Sequence, residues 1–263
     1  MKLFVFEGDR DSSVFDTLIT LFFSEEKDAS RCVYGNDIYS LYRKLKSYET
    51  FDKSNIGNTF SVLKEILKEK QDNALDDLNE FEISEIYLFF DYDFQQKYGT
   101  LKENNKRVGE LLEYFDEETE SGKLYIHYPM LESIRYTKEL PDVNYCQYVV
   151  SREDCRNFKN RVQEFSHYGS FDHIQLPANA QTLTEKRKGK VLQNWEHLIR
   201  MNVEKAHFLC CGTEQFPIDK QRIKQGNIYE NQLHKYVEKE PSQVSVLNAF
   251  PLFLYEYFKV IRS

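Results

Sequence analysis

The chain has 263 residues, of which 41% are hydrophobic and 15% aromatic, so it can bury a large core in one or two domains. Its net charge is −8, from 35 Lys and Arg against 43 Asp and Glu, which argues against nucleic-acid binding through bulk charge alone. Six Pro and ten Gly argue against a disordered or linker-rich protein.

The N-terminus and the cysteines indicate a cytoplasmic protein with reduced thiols. The first apolar run begins at Leu3 and is followed by the acidic Glu7, which does not fit a targeting signal. None of the five cysteines forms a C-x-x-C pair. Polar residues and Pro251 interrupt the apolar stretch at 244–261, so we expect a core helix there and no membrane span.

The first half of the chain alternates short apolar runs with patterns at helical spacing. Runs rich in β-forming residues predict four strands, at residues 3–6, 31–34, 85–91 and 123–128. After the first strand, an apolar stripe predicts a helix capped by Ser12 or Ser13. Two more helical stripes fall within residues 36–82, and another spans 98–115. This alternation is typical of an α/β protein with a parallel sheet, in which residues 36–82 form a helical insertion.

From about residue 136 the pattern becomes mainly helical and contains no strong strand. We therefore predict a domain at residues 1–135 and a mainly α-helical C-terminal region at 136–263. Aromatic residues at helical spacing near the C-terminus predict a segment that packs into the core, with self-association as the alternative. They are Phe250, Phe253, Tyr255, Tyr257 and Phe258.

Carboxylates stand at the ends of three predicted strands. Glu7 follows the first strand, and Asp91 and Asp93 end the third. Glu132 comes shortly after the fourth. Because the carboxyl ends of parallel strands meet at one edge of a sheet, we expect these side chains to converge. Mutually repelling carboxylates are balanced by hard cations such as Mg²⁺ or Mn²⁺, so the sequence predicts a metal centre suited to a phosphodiester substrate.

Simpler roles are open for the individual residues. A lone carboxylate after a strand is often an exposed turn residue, which is the alternative for Glu132. The alternative for Asp9 and Asp11 is that they only cap the helix that follows at Ser12. His127 lies within the fourth strand, as a core histidine would, and the histidines show no zinc-type spacing. The presence of acidic residues at the ends of three strands nevertheless favours a metal site.

Two sets of basic residues are candidates for phosphate contacts. Arg10 and Arg135 flank the acids, and each would either meet phosphate oxygens or form a surface ion pair. The densest basic cluster precedes a predicted helix and would either bind nucleic-acid phosphates or form a solvated helix start. It consists of Lys186, Arg187, Lys188 and Lys190.

The acidic motifs resemble those of Toprim domains. Phe6-Glu7-Gly8 followed by Asp11, with Asp91-Tyr92-Asp93 after a hydrophobic strand, is similar to the Toprim pattern. That fold occurs in topoisomerases, bacterial primases and the overcoming-lysogenisation-defect nucleases. The turn Leu131-Glu132-Ser133 resembles the acidic turn of stand-alone Toprim proteins of the unknown-function family 4435, which include the Toprim effector of the PARIS antiphage system. The resemblance covers residues 1–135.

The resemblance implies a Toprim-like Rossmannoid fold and a Mg²⁺- or Mn²⁺-dependent endonuclease. Glu7 would be the general acid/base or a metal-linked acid, and Asp91 and Asp93 would be metal ligands. Asp11 and Glu132 would complete the site. The substrate would be RNA, with tRNA as one possibility, or DNA, and the protein would be the toxic effector of a bacterial antiphage system. Residues 94–96 lack the further acid of the commoner nuclease pattern, so a second metal is not implied.

The partners follow from what the sequence lacks. It contains no P-loop motif, so any ATPase or sensor that acts with this protein would be a separate chain. A homodimer is a further possibility. The main alternative function is a catalytically silent Toprim-like interaction or regulatory module. Receiver domains and haloacid-dehalogenase phosphatases place their acidic pair after the first strand, which does not fit Asp91 and Asp93.

Overall fold

The structure is a computed structural model that describes residues 1–23, 29–48, 56–177, 184–217 and 219–258, with only the backbone at 56–58. A five-stranded sheet lies at its centre, in the order β2-β1-β3-β5-β4. The contacts of β1 with β2, of β1 with β3, and of β3 with β5 are parallel, whereas β4 runs antiparallel to β5. The strands are β1 (Lys2–Phe6), β2 (Ala29–Val33), β3 (Glu85–Asp91), β4 (Asp116–Glu117) and β5 (Gly122–His127).

Helices surround this sheet and dominate the second half of the described chain. They are α1 (Asp9–Phe22), α2 (Ile38–Ser47), α3 (Ile56–Glu69), α4 (Leu101–Tyr114), α5 (Phe158–Phe165), α6 (Glu185–Cys211), α7 (Gln225–Gln232) and α8 (Ala249–Tyr257). A π-helical turn at Leu233–Val237 continues α7, and a 3₁₀ turn at Leu131–Arg135 follows β5. The α/β class, the mostly parallel sheet, the helical segment between β2 and β3 and the helical C-terminal region are therefore confirmed.

Several local predictions differ from the structure. The helix after β1 begins at Asp9 with Gly8 as its N-cap, so the prediction that Ser12 or Ser13 caps it was wrong. The helix after β3 begins at Leu101 and not near Tyr98, because Thr100 caps it through a capping box with Glu103. The second half also contains a two-stranded ribbon, β6 (Val149–Ser151) with β7 (Gln243–Ser245). Three-residue strands are too short for a periodic signal.

The C-terminal helix α8 packs directly on the sheet. Phe253 is fully buried and lies edge-on against Phe89 of β3 and Tyr125 of β5, with ring centroids 5.3 and 5.5 Å apart. Phe250 is also fully buried, 5.1 Å from Phe89, which confirms the prediction that the aromatic C-terminal segment packs into the core. Among the described residues, buried side chains from both halves of the chain belong to one continuous hydrophobic core.

Within the described ranges, no helix combines the length and the apolar character that crossing a bilayer requires.

Candidate metal centre

The carboxyl ends of β1, β3 and β5 bring three ionisable side chains to one edge of the sheet. Glu7 follows β1 directly and its N–H donates to the carbonyl of Phe89 at 3.0 Å, which continues the ladder with β3. Asp91 and His127 end their strands opposite each other in the parallel register. Because alternate residues of a strand share a face, Asp91 lies on the face of Phe89, where α8 packs.

Backbone hydrogen bonds fix the two central carboxylates. The N–H of Asp91 donates to Oε2 of Glu7 at 2.9 Å. Asp91 in turn accepts the N–H of Leu131 on its Oδ1 at 2.8 Å, which ties β3 to the 3₁₀ turn after β5. Each carboxylate keeps a second oxygen for another ligand. The two acids are thus held side by side by the main chain.

Asp11 reaches the same point from the first turn of α1. The residue is 7% exposed, and its Oδ1 is buried without a hydrogen-bond partner among the described residues. One potential ligand atom from each of Asp11, Asp91 and His127 lies within 4.8 Å of the others, a group that could hold a metal ion. Nε2 of His127 lies 3.4 Å from that Oδ1. A buried carboxylate oxygen without a donor costs free energy unless a cation or a proton balances it.

Burial and mutual repulsion hold these carboxyl groups toward their protonated forms. Burial, reinforced by the negative charges of Asp93 and Asp11, raises the pKa of Glu7 to about 9. Burial also raises the pKa of Asp91 well above its ordinary value, with the charge of Glu7 as the next cause. A divalent cation bound here would strongly favour ionisation of these carboxyl groups, because its charge would stabilise all of the carboxylates at once.

Asp93 has hydrogen-bond partners of its own beside this group. It has a positive φ of 50°, and its carboxylate accepts the side-chain amides of Gln95 at 2.9 Å and Gln96 at 3.4 Å. Burial raises its pKa, and the two amides oppose that shift. Asp93 is also not among the described residues that line the neighbouring cleft. The sequence pattern treats Asp91 and Asp93 as equal ligands, whereas the structure gives them different surroundings.

A polar cleft of about 1110 Å³ opens beside the acids, lined by Glu7, Asp11, Asp91 and Glu132. The carboxylate of Glu132 is 2% exposed, and its Oε1 lies 3.5 Å from both Nη1 of Arg10 and Nζ of Lys159. Glu132 thus faces the cleft with its charge already balanced by two cations. Its position also raises the pKa of Asp91, although burial is the larger cause.

Arg135 is a basic residue of the same cleft. It is 5% exposed, and its Nη1 donates to the carbonyl of Tyr168 at 3.1 Å. Its guanidinium lies 5.1 Å from the ring centroid of Phe171, and that of Arg10 lies 5.8 Å from the same ring. Nε of Arg135 has no hydrogen-bond partner within the described residues. Arg135 nevertheless lines the cleft, where a guanidinium is suited to a phosphate oxygen.

The basic cluster at residues 186–190 lies elsewhere. Its residues occupy the first turns of α6, which Thr184 caps by accepting the N–H of Arg187 at 3.2 Å. None of its four basic residues lines the cleft. Positive side chains at a helix N-terminus oppose the helix dipole, so the cluster gains no support from its own helix. The structure leaves it as an exposed patch apart from the acids.

Sequence reasoning missed two residues of the site. His127 was assigned to the core, and it is fully buried, yet it also contacts Asp11. The missed signal was its position at the end of the fourth strand, level with Asp91. Lys159 lies on α5, in the C-terminal half, and reaches Glu132 only through the tertiary fold. An isolated lysine in an amphipathic helix carries no signal that would have revealed this contact.

The residues present fit a hard cation. Glu7, Asp11 and Asp91 offer carboxylate oxygens, the type of ligand preferred by Mg²⁺, Mn²⁺ and Ca²⁺, and the buried carboxylate of Asp11 has one oxygen with no hydrogen-bond partner among the described residues. Comparisons of the chain with protein-family models, with curated proteins and with solved structures give no match. The resemblance to Toprim domains is therefore confined to the motifs around Glu7, Asp91 and Glu132.

Proposed function

We propose that this protein is a metal-dependent phosphodiesterase that cleaves nucleic acid. The observation that carries the proposal is that one cleft is lined both by Glu7, Asp11 and Asp91 and by the basic residues Arg10 and Arg135. The carboxylates are suited to binding a cation, and the arginines are suited to binding the phosphate on which that cation acts. Mg²⁺ or Mn²⁺ at the acids would polarise a phosphoryl oxygen and activate water.

The side chains divide the remaining work. Asp91 and Asp11 would hold the cation, and Arg10, Arg135 and Lys159 would orient the phosphate. In the reaction, water adds to phosphorus, one P–O ester bond breaks and the leaving oxygen takes up a proton. Glu7 is placed for that proton transfer because it lines the cleft and its Oε2 accepts the N–H of Asp91, the proposed metal ligand.

The substrate is proposed to be RNA, including tRNA, or DNA. The protein's net charge of −8 works against binding to any nucleic acid along its whole surface, so we expect contact to be concentrated at the cleft. As the motif resemblance implies, the biological role would be that of the toxic effector of an antiphage system. An ATPase or sensor partner would restrain it, and it would act as a monomer or a homodimer.

Cleavage assays with purified protein test the proposal. Labelled single-stranded RNA, tRNA and duplex DNA are incubated with Mg²⁺, Mn²⁺ or EDTA and the wild type, Glu7→Gln, Asp11→Asn or Asp91→Asn. We expect metal-dependent cleavage by the wild type and at least a 100-fold loss in each variant. Asp16→Asn is the control for Asp11→Asn, because Asp16 is an exposed acid of the same helix that does not line the cleft.

Toxicity on expression provides a second test. The wild type should arrest growth, and Glu7→Gln at equal expression should not. If Glu7→Gln were as toxic as the wild type and the purified protein cleaved none of the three substrates, the phosphodiesterase proposal would be wrong. The catalytically silent interaction module would then replace it.

A further inference from the structure

His127 is placed where a metal ligand would be, and the question is whether its ring can act as one. The residue ends β5, it is fully buried, and its Nε2 faces Oδ1 of Asp11 at 3.4 Å. Asp91 lies beside it in the register of the sheet. Histidine nitrogen is a common ligand of Zn²⁺ but a poor one for Mg²⁺, so the answer determines which cation the site selects.

The other ring nitrogen identifies the tautomer. Nδ1 of His127 accepts the backbone N–H of Ala249 at 3.2 Å. Ala249 is the first residue of α8, and its N–H has no acceptor within that helix, so the ring satisfies a donor that the helix leaves open. A ring nitrogen that accepts a hydrogen bond carries no proton. The proton of the neutral ring is therefore on Nε2.

The orientation of the ring is fixed from two sides. Phe250 packs edge-on against it, with centroids 4.9 Å apart and an interplanar angle of 83°. Asn248, the N-cap of α8, is itself held by hydrogen bonds from its side chain to the carbonyl of Leu131 and to Oγ of Ser133, both at 3.0 Å. A 180° flip of the ring would put Cδ2 in the place of Nδ1 and leave the buried N–H of Ala249 without an acceptor.

A metal on Nε2 is incompatible with this arrangement. A neutral imidazole has one nitrogen lone pair available, and the N–H of Ala249 occupies it. Coordination through Nε2 would require the loss of the last ring proton. In contrast, an Nε2–H directed at Oδ1 of Asp11 needs only a small approach of two buried atoms that otherwise have no hydrogen-bond partners among the described residues.

We infer that His127 is a positioning residue that donates its Nε2–H to Asp11 and that the cation is bound by oxygen atoms alone. This inference rests on the metal site of the proposed function. The hydrogen bond leaves the second oxygen of Asp11 free to join Asp91 in coordination. An all-oxygen site selects Mg²⁺, Mn²⁺ or Ca²⁺ over Zn²⁺. It also links the cation to α8 through His127.

Two amide substitutions distinguish the roles of the two ring nitrogens of His127. In His127→Gln, the side-chain amide can place an N–H near the position of Nε2, whereas in His127→Asn the shorter side chain can only replace Nδ1. Calorimetric titration with Mg²⁺ should give an affinity within about threefold of the wild type for the Gln variant. The Asn variant should lose about 10- to 100-fold, as is typical when the support of a metal ligand is removed.

Pulsed electron paramagnetic resonance of bound Mn²⁺ tests coordination in the wild type itself, so the result does not depend on a variant that folds. We expect no coupling from a directly coordinated ¹⁴N nucleus. A ¹⁴N coupling that disappears in the Gln variant would overturn the inference, as would equal Mg²⁺ affinity of the Asn variant and the wild type. Absence of any Mg²⁺ or Mn²⁺ binding to the wild type would instead refute the metal site of the proposed function.

Discussion

Replacing Glu7 with Gln should stabilise the metal-free protein while it abolishes catalysis. At pH 7 an unfolded chain carries Glu7 as a carboxylate, whereas burial raises the pKa of the folded group to about 9, so folding must take up a proton. Each pH unit above the ordinary value of 4.5 costs about 1.4 kcal/mol. The cost at pH 7 is therefore up to about 3 kcal/mol, and Gln removes it. The amide oxygen of Gln can still accept the N–H of Asp91.

The stabilisation by Glu7→Gln should depend on pH. A folded pKa above the unfolded one means that wild-type stability is greatest below about pH 4.5 and falls as the pH rises toward 9. In EDTA, the Gln variant should match the wild type near pH 4.5 and exceed it progressively up to pH 9. For a chain of this size, about 3 kcal/mol corresponds to roughly 6 to 12 °C in Tm at pH 7.

Thermal and urea unfolding between pH 4.5 and 9, with EDTA or with saturating Mg²⁺, measure this difference. Glu85→Gln is a suitable control, because Glu85 is a partly buried glutamate at the opposite end of β3. Mg²⁺ should stabilise the wild type more than Glu7→Gln, since a bound cation favours the carboxylate. A wild type and Gln variant that unfold in parallel across this pH range in EDTA would refute the argument that Glu7 is protonated in the folded state.

Three further predictions address the ligands, the basic patch and the core. In calorimetry, Asp93→Asn should weaken Mg²⁺ binding less than Asp91→Asn, because the Asp93 carboxylate already accepts hydrogen bonds from Gln95 and Gln96. An equal loss of affinity in the two variants would show that both acids are ligands. Replacing the four basic residues at 186–190 by Gln should reduce the salt dependence of RNA affinity if they contact phosphates, and an unchanged slope would leave the cluster a solvated helix start. Phe253→Ala should lower the free energy of unfolding by about 3 to 5 kcal/mol in urea titrations, because the ring packs on both β3 and β5, and a loss below about 1 kcal/mol would contradict that packing.

The sequence alone was sufficient to predict the sheet and the acids at its edge. The run from Ile86 to Phe90 is continuously apolar because β3 is buried on both faces, and such a run is visible without a structure. Parallel strands also align their carboxyl ends, so Glu7 and Asp91 were expected to meet once the strands were placed. The α/β class and the helices between β2 and β3 followed from the same periodicity.

Only the tertiary structure determined which acidic side chains lie together and which groups pair with them. Asp91 and Asp93 are two residues apart and look equivalent in the sequence, but the positive φ of Asp93 turns its carboxylate toward Gln95 and Gln96. Lys159 reaches Glu132 from α5, across a separation in sequence that no local pattern encodes. His127 has its tautomer set by the first N–H of α8, more than a hundred residues further along the chain. Local periodicity reports burial, whereas the direction of a side chain and its partners depend on contacts between distant segments, and these form only when the chain folds.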